Sequence, residues 1–162
     1  MKTFLVETPQ QAFPKDLFAA LESKYGKLQL KVAKNEEELK IMLHGGNYDL
    51  AIVNSYEDVN SFSEEILATG LTTPILVYTQ KKDIVFIKEL YSIGVSGVLN
   101  TTDGSQEMLK AISDILANRI YISESLKQDL LKNTPLIDED YENNYIKISA
   151  RQDISFFTFC LN

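Results

Sequence analysis

A chain of 162 residues has the length of one domain, with room for an appendage. Hydrophobic residues make up 44% of it, which is enough to bury a core and argues against disorder throughout. The formal net charge of -7 disfavours non-specific attraction to nucleic acid or to anionic membranes.

Short apolar runs alternate with segments of helical spacing along most of the chain. Several of the runs are almost continuously apolar, as strands covered on both faces are. The runs predict five strands, namely Thr3–Glu7, Leu28–Ala33, Leu50–Asn54, Pro74–Thr79 and Gly97–Asn100.

Five segments with helical spacing lie between and after these strands. Asn35 followed by Glu38 forms the N-cap and capping-box pattern of the second helix, which should close at Gly45-Gly46. Ser61 followed by Glu64 repeats that pattern for the third. The other apolar helix faces consist of Phe13, Leu17, Leu21 and Tyr25, of Val85, Ile87, Leu90 and Tyr91 (before Gly94), and of Met108, Leu109, Ile112 and Leu116. This alternation predicts an α/β fold with a doubly wound, five-stranded parallel sheet and a C-terminal helical extension.

The pattern changes after the fifth helix. Residues 121–147 predict a short helix that starts near Ser123 and then an acidic, turn-prone linker. Residues 148–162 could begin another helix at Ser149, and their aromatic side chains need burial on the domain or on a partner chain. These two segments therefore follow a domain of residues 1–120.

Cysteine content and hydropathy bear on location and ligands. The single cysteine, Cys160, cannot form an internal disulfide, and no apolar run has the length of a signal peptide or a membrane span. We therefore expect a cytoplasmic protein without membrane contact. His44 has no patterned His, Cys or carboxylate partners, so we predict no metal and no cofactor.

Four stretches together carry a resemblance to a known family. "TPILVYT" ends a strand on a threonine, and "GVSGVLNTT" surrounds the fifth strand. "AISDILANRIYIS" leads from the last helix into a Tyr-Ile-Ser segment, and "ISARQDI" is similar to the opening of a LuxR-type helix-turn-helix. In this order they resemble the CheY-like receiver domain of bacterial response regulators, in its NarL/LuxR-type subclass. The resemblance extends from Lys2 to about Asn118 and implies a flavodoxin-like fold.

The resemblance implies a pocket at the carboxyl ends of the strands, where ligands of such sheets bind. In the family, two acids after the first strand bind magnesium, and an aspartate after the third strand accepts a phosphoryl group. A Thr or Ser and a Lys after the fourth and fifth strands contact that group. The matching positions here are Glu7, Thr8, Asn54, Thr79 and Thr101, with Val98 at the aromatic switch position of the fifth strand.

Most of these positions lack the chemistry that phosphoryl transfer needs. A carboxylate is a usable nucleophile, whereas the Asn54 amide is a very poor one. Thr8 and Thr101 are uncharged where an acid and a lysine are expected. The sequence therefore predicts a degenerate pseudo-receiver with no catalytic residues, which is a binding module and not an enzyme.

The resemblance also implies partners. In the family, the face formed by the fourth helix, fifth strand and fifth helix carries dimer and partner contacts. Here that face would include Lys88, Tyr91 and exposed residues between Ser105 and Arg119. We expect a protein partner or a homodimer. Too few residues follow "ISARQDI" for a recognition helix, so we expect DNA binding only if a longer gene product carries a complete helix-turn-helix.

Several alternatives stay open. Asn54 could simply cap the strand end and hydrogen-bond Glu7 or nearby amides. A shifted register could hide an acceptor at Asp49 or Asp58, although Asp49 would then lie at the wrong end of its strand. The chain could also be an active receiver or one gated by a small anion. A flavodoxin-like enzyme is disfavoured, because "ETPQQ" after the first strand is not a Gly-rich phosphate loop.

Overall fold

The computed structural model describes residues 1–7, 15–54 and 72–133. Its strands are β1 Lys2–Glu7, β2 Leu28–Ala33, β3 Leu50–Asn54, β4 Ile75–Thr79, β5 Gly97–Asn100 and β6 Tyr121–Ile122. Its helices are α1 Lys15–Tyr25, α2 Glu36–Gly45, α3 Ile84–Ser92, α4 Ser105–Leu116 and α5 Glu124–Asn133.

The strands form one parallel sheet with the order β2-β1-β3-β4-β5-β6. The prediction of an α/β fold with a parallel sheet is confirmed, but the predicted number of five strands is wrong. The sixth strand pairs Tyr121 with Gly97 and Ile122 with Val98, along the edge of β5. Two residues are too few to show the periodicity of a strand, so the sequence assigned them to the segment of residues 121–147.

The predicted strands and helices agree closely with the structure elsewhere. Strands β2, β3 and β5 have the predicted bounds, β1 begins one residue earlier at Lys2, and β4 begins after Pro74. The three central runs are buried almost throughout, as their continuous apolar character predicted. Helix α3 ends before Gly94, which has a positive φ of 98°.

Local hydrogen bonds explain where the helices begin. The Asn35 side chain accepts the backbone N–H of Glu38 at 2.9 Å, which confirms the predicted N-cap of α2. The Glu38 carboxylate accepts the N–H of Lys34 at 2.7 Å, one residue before the cap. Asp83 caps α3 by accepting the N–H groups of the two residues after Ile84. Ser123 directly precedes α5, where the sequence predicted a helix start.

Helices cover both faces of the sheet and form two apolar cores. The α1–α4 core contains Leu17 and Leu21 of α1, Ile112 and Ile115 of α4, and alternate strand residues such as Phe4, Ile52 and Leu99. The α2–α3 core contains Leu39 and Leu43 of α2, Ile87 and Leu90 of α3, Leu126 of α5, and strand residues such as Leu5, Val53 and Val98. Successive strand residues contribute to opposite cores, as the period of two requires.

Some predictions concern residues outside the described ranges. These are Phe13 on the first helix, the helix that begins at Ser61, the acidic linker and the segment of residues 148–162. The division at residue 120 stays a prediction, although β6 lies beyond it within the sheet. Of the helices that the structure describes, none combines the length and apolar character that a membrane crossing needs.

Candidate functional site

Four polar side chains end four neighbouring strands of the sheet. Glu7 ends β1, Asn54 ends β3, Thr79 ends β4 and Asn100 ends β5. Since the order of these strands in the sheet is β1-β3-β4-β5, their carboxyl ends form one continuous edge. Thr101 follows directly on β5, whereas Thr8 lies outside the described residues. The structure thus brings together four of the five predicted pocket positions, namely Glu7, Asn54, Thr79 and Thr101.

Glu7 ties the ends of β1 and β3 together. Its carboxylate accepts the backbone N–H of Asn54 at 3.0 Å, and the residue is only 5% exposed. A buried carboxylate needs hydrogen-bond donors to replace lost water. The sequence-based expectation of a Glu7–Asn54 hydrogen bond is therefore met, but through the backbone of Asn54 and not through its side chain.

The side-chain amide of Asn54 contains a buried nitrogen at the end of β3. Its Nδ2 atom is buried and makes no hydrogen bond within the part of the chain that the structure describes. An amide NH₂ group is a donor, so it favours an acceptor or an anion over a cation. It has no lone pair available for attack on phosphorus, so the strand end where the family has its nucleophile offers a hydrogen-bond donor.

Thr79 and Thr101 form hydrogen bonds that involve backbone groups. Thr79 is fully buried, and its hydroxyl accepts the N–H of Lys81 at 2.9 Å. The carbonyl of Thr79 accepts the N–H of Thr101 at 2.9 Å, which extends the β4–β5 pairing. The Lys81 ammonium lies 4.7 Å from the ring centroid of Phe86 on α3, a cation–π contact.

Tyr78 anchors the chain just beyond β5. Its hydroxyl donates to the carbonyl of Thr101 at 3.1 Å. Burial raises the pKa of Tyr78, and the charge of Asp103 raises it further. The phenol therefore stays protonated at neutral pH and keeps its role as a donor.

Val98 is the residue at which the sequence resemblance implies the aromatic switch position. It is fully buried in the α2–α3 core and pairs with Val77 on one side and Ile122 on the other. A valine there has neither a ring nor a hydroxyl that could move between the core and solvent. The structure places Val98 as ordinary core packing.

Two polar residues beside the pocket were not predicted from the sequence. Asn100 is 1% exposed, and its Oδ1 accepts both the N–H and the hydroxyl of Thr102, at 3.0 and 2.7 Å. The N–H of Asn100 donates to the carboxylate of Asp103 at 2.8 Å. These bonds fix the loop after β5. Only the alternation of β5 could have indicated that Asn100 is buried, and nothing in the sequence indicated its partners.

Comparisons with known proteins find similarity in structure only. No protein-family model matches the chain, and no curated protein sequence matches it. A two-component response regulator of the LuxR family from Aurantimonas sp. SI85-9A1 superposes with a TM-score of 0.64 at 16% identity, covering 80% of this chain and 95% of that one. The fold is that of a receiver domain.

Two further receiver structures agree with this fold. A LuxR family DNA-binding response regulator from Silicibacter pomeroyi gives a TM-score of 0.61 at 13% identity, covering 78% of this chain and 99% of that one. The isolated REC domain of RcsB from Salmonella enterica serovar Typhimurium, in the presence of phosphomimetic BeF3-, gives 0.63 at 12% identity, covering 79% and 97%. At these identities the likeness establishes the receiver fold and leaves the pocket chemistry to the residues themselves.

The residues of this pocket do not fit the magnesium ion that the receiver fold implies. Mg²⁺ prefers carboxylate oxygens and usually takes one or two of them together with phosphate oxygens. Glu7 is the only acid among the five pocket positions, and its carboxylate already accepts a backbone N–H. Asn54 adds a buried donor, which repels a cation. Within the described ranges, no cluster of three His, Cys, Asp or Glu residues could hold a metal.

Proposed function

We propose that this chain is a receiver-like signalling domain that acts through protein contacts and without phosphorylation of an aspartate. One observation carries the proposal: Asn54 stands at the carboxyl end of β3, and the resemblance to receiver domains implies the phosphoacceptor at this position. An amide cannot form the acyl phosphate on which phosphorylation-dependent signalling rests.

The surroundings of Asn54 support the same reading. Phosphoryl transfer needs cations that neutralise the oxygens of the incoming group. Thr101 stands where the resemblance implies a lysine, and the Glu7 carboxylate accepts a hydrogen bond from the Asn54 backbone. The β4–α3 loop has two lysines: Lys81 lies against the Phe86 ring, and Lys82 forms an ion pair with Asp129 on α5 at 3.0 Å. The pocket residues therefore form hydrogen bonds at the strand ends and do not supply the charges that phosphoryl transfer needs.

Signalling would then depend on surfaces and partners. We propose a cytoplasmic domain that binds a protein partner or a second copy of itself, as part of a regulator of the two-component type. The negative net charge of -7 supports the expectation that this chain alone does not bind duplex DNA specifically. Neither catalysis nor a cofactor is part of the proposed role.

Chemical phosphorylation tests the loss of transfer. The protein is incubated with acetyl phosphate and Mg²⁺ and examined by intact-protein mass spectrometry. We expect no phosphoryl adduct on the unaltered chain, and little or none on Asn54→Asp, which still lacks the second acid and the lysine. The triple variant Asn54→Asp, Thr8→Asp, Thr101→Lys should bind Mg²⁺ and gain a measurable adduct, since it has two acids after β1, a nucleophile and a cation.

Each variant has an outcome that would contradict the proposal. An adduct on the unaltered chain would show that another residue is the acceptor. Efficient phosphorylation of Asn54→Asp alone would show that the pocket is less degenerate than its residues indicate. A folded triple variant without an adduct would show that the assignment of strand-end positions is wrong. Even the phosphorylated triple variant should signal poorly, because Val98 has no ring to reorient.

A receiver gated by a small anion is the second candidate. The buried Asn54 Nδ2 atom, without a hydrogen-bond partner in the described structure, is a donor that an anion could use. The neighbouring Glu7 carboxylate opposes this by charge repulsion. Titration with inorganic phosphate, followed by NMR at Asn54, separates the two candidates. Saturable shifts that Asn54→Ala abolishes would favour the anion-gated receiver.

A further inference from the structure

The segment that follows α4 folds back onto the body of the domain. This segment, β6 with α5, is called the C-terminal cap below and comprises residues 121–133. Leu126 is fully buried, and Ile122 is 1% exposed, in the same core as Ile87 and Leu90 of α3. The hydroxyl of Tyr91 on α3 donates to the carbonyl of Tyr121. The cap therefore covers the edge of β5 and part of the surface at which Tyr91 was expected to meet a partner.

Glu107 on α4 holds the beginning of the cap. Its carboxylate accepts the phenol hydroxyl of Tyr121 and the backbone N–H of Glu124, the latter at 3.1 Å. Burial raises the pKa of Tyr121, and the hydrogen bond to Glu107 raises it further, so the phenol remains a donor. One carboxylate thus binds both β6 and the first turn of α5.

Asp103 connects the cap to the loop that begins at the pocket. One carboxylate oxygen accepts the N–H of Asn100 at 2.8 Å, at the end of β5. The other accepts the hydroxyl of Ser125 at 2.8 Å, in the first turn of α5. Thr101, the pocket position that replaces the family's lysine, lies between Asn100 and Asp103 in the chain. A change in this short loop moves the group that holds Ser125.

We propose that Asp103 is a latch that couples the pocket-side loop of residues 101–104 to the docking of the cap. While Asp103 accepts hydrogen bonds from both Asn100 and Ser125, α5 remains packed on the α2–α3 core. A rearrangement of the loop breaks the bond to Ser125, releases α5 and uncovers the part of the α2–α3 core that Leu126 covers. The latch is inferred from these contacts and does not depend on the loss of phosphoryl transfer proposed above.

Amide hydrogen exchange of the full chain, read residue by residue, tests the latch. Asp103→Ala removes both acceptor oxygens, so the bonds to Asn100 and Ser125 are both lost. Ser125→Ala removes the bond between Asp103 and the cap, together with a contact of 3.2 Å between the Ser125 and Ser123 hydroxyls inside the cap. Each variant should speed exchange of the α5 amides about tenfold, the scale expected for one hydrogen bond to a charged group. Glu36→Gln, which removes a remote ion pair with Lys40 on α2, is the control and should leave α5 unchanged.

The reciprocal effect distinguishes coupling from local packing. If Asp103 links both sides, Ser125→Ala must also speed exchange of the Asn100 amide, which Ser125 does not touch. Thr102→Val, at an exposed position on the pocket side, removes a bond to Asn100 and should in turn speed exchange in α5. A change confined to α5 in Ser125→Ala, or unchanged α5 exchange in Thr102→Val or Asp103→Ala, would overturn the proposal. Phosphorylation of the pocket would overturn the proposed function and leave this result standing.

Discussion

Single carboxylates join β1 to the β3 segment at both ends of these strands. At the carboxyl end, Glu7 accepts the N–H of Asn54 inside the pocket. At the amino end, Asp49 accepts the N–H of Thr3 at 2.8 Å and pairs with the Lys2 ammonium at 2.9 Å. Asp49 therefore joins the starts of β1 and β3. It lies at the amino ends of the strands, opposite the pocket, and this position excludes the shifted register that would make Asp49 the phosphoacceptor.

Asp49 gives the fold a predictable dependence on pH. Burial by itself would raise its pKa, but the hydrogen bonds from Lys2 and Thr3 and the Lys2 charge together lower it below the ordinary value of an aspartate. A lowered folded-state pKa stabilises the fold above the unfolded-state pKa, and this stabilisation is lost as the pH falls through the folded-state value. Asp49→Ala should cost about 1 kcal/mol of unfolding free energy at pH 7 and less at pH 2.5.

Urea unfolding of both proteins at the two pH values measures this difference. Glu37→Ala removes an exposed carboxylate from α2 and serves as the control, with an expected change within about 0.5 kcal/mol. An equal cost of Asp49→Ala at pH 7 and at pH 2.5 would contradict the role assigned to the ionised Asp49 carboxylate.

The sequence predicted the pocket residues better than their contacts. Glu7, Asn54, Thr79 and Thr101 could be placed because strand ends follow from apolar runs, and parallel strands bring those ends together. Asp103 could not be placed, because its two partners depend on a loop conformation that no periodicity records. Sequence patterns locate residues along an element, whereas loop hydrogen bonds depend on tertiary geometry.

At the scale of elements, β5 shows how closely helix and sheet approach. A Cβ atom at Gly97 would lie 2.8 Å from Cδ1 of Ile115 on α4 and 3.1 Å from Cδ1 of Leu76 on β4. A side chain at position 97 would therefore have to displace Ile115 or Leu76 from the contact between α4 and β5. The motif "GVSGVLN" contains this glycine, but only the structure shows that it serves close packing and not a turn.

Gly97→Ala should destabilise the protein by about 1–3 kcal/mol, because the added methyl group must displace Ile115 or Leu76. Gly45→Ala is the matched control, since the same change at the end of α2 meets no atom within 4 Å. Alanine is also the better helix former, so Gly45→Ala should be neutral or slightly stabilising. Thermal or urea unfolding measures both. Equal stability of the two variants would show that α4 can move away from β5 at little cost.

At the scale of the whole molecule, the sheet separates two cores, and the segment after residue 120 contributes to both. The helices of the α1–α4 core lie within the predicted domain of residues 1–120, but Tyr121 of β6 is part of this core as well. The α2–α3 core also contains Ile122 and Leu126, which lie beyond residue 120. The sequence placed that boundary where the fifth helix ends, because a two-residue strand and a short helix resemble a linker when their tertiary contacts are unknown.

Leu126 tests whether the C-terminal cap is part of the folded body. Its side chain is fully buried in the α2–α3 core, so Leu126→Ala removes buried methyl groups and leaves a cavity, at a cost of about 2–5 kcal/mol. We expect urea unfolding, followed by far-UV circular dichroism, to remain one transition with a lower midpoint. Ile120→Ala, a similar change at a side chain that is 53% exposed, should cost less than about 1 kcal/mol. If the cap were an appendage that adds nothing to the body, Leu126→Ala would leave the midpoint where it is in the unaltered chain.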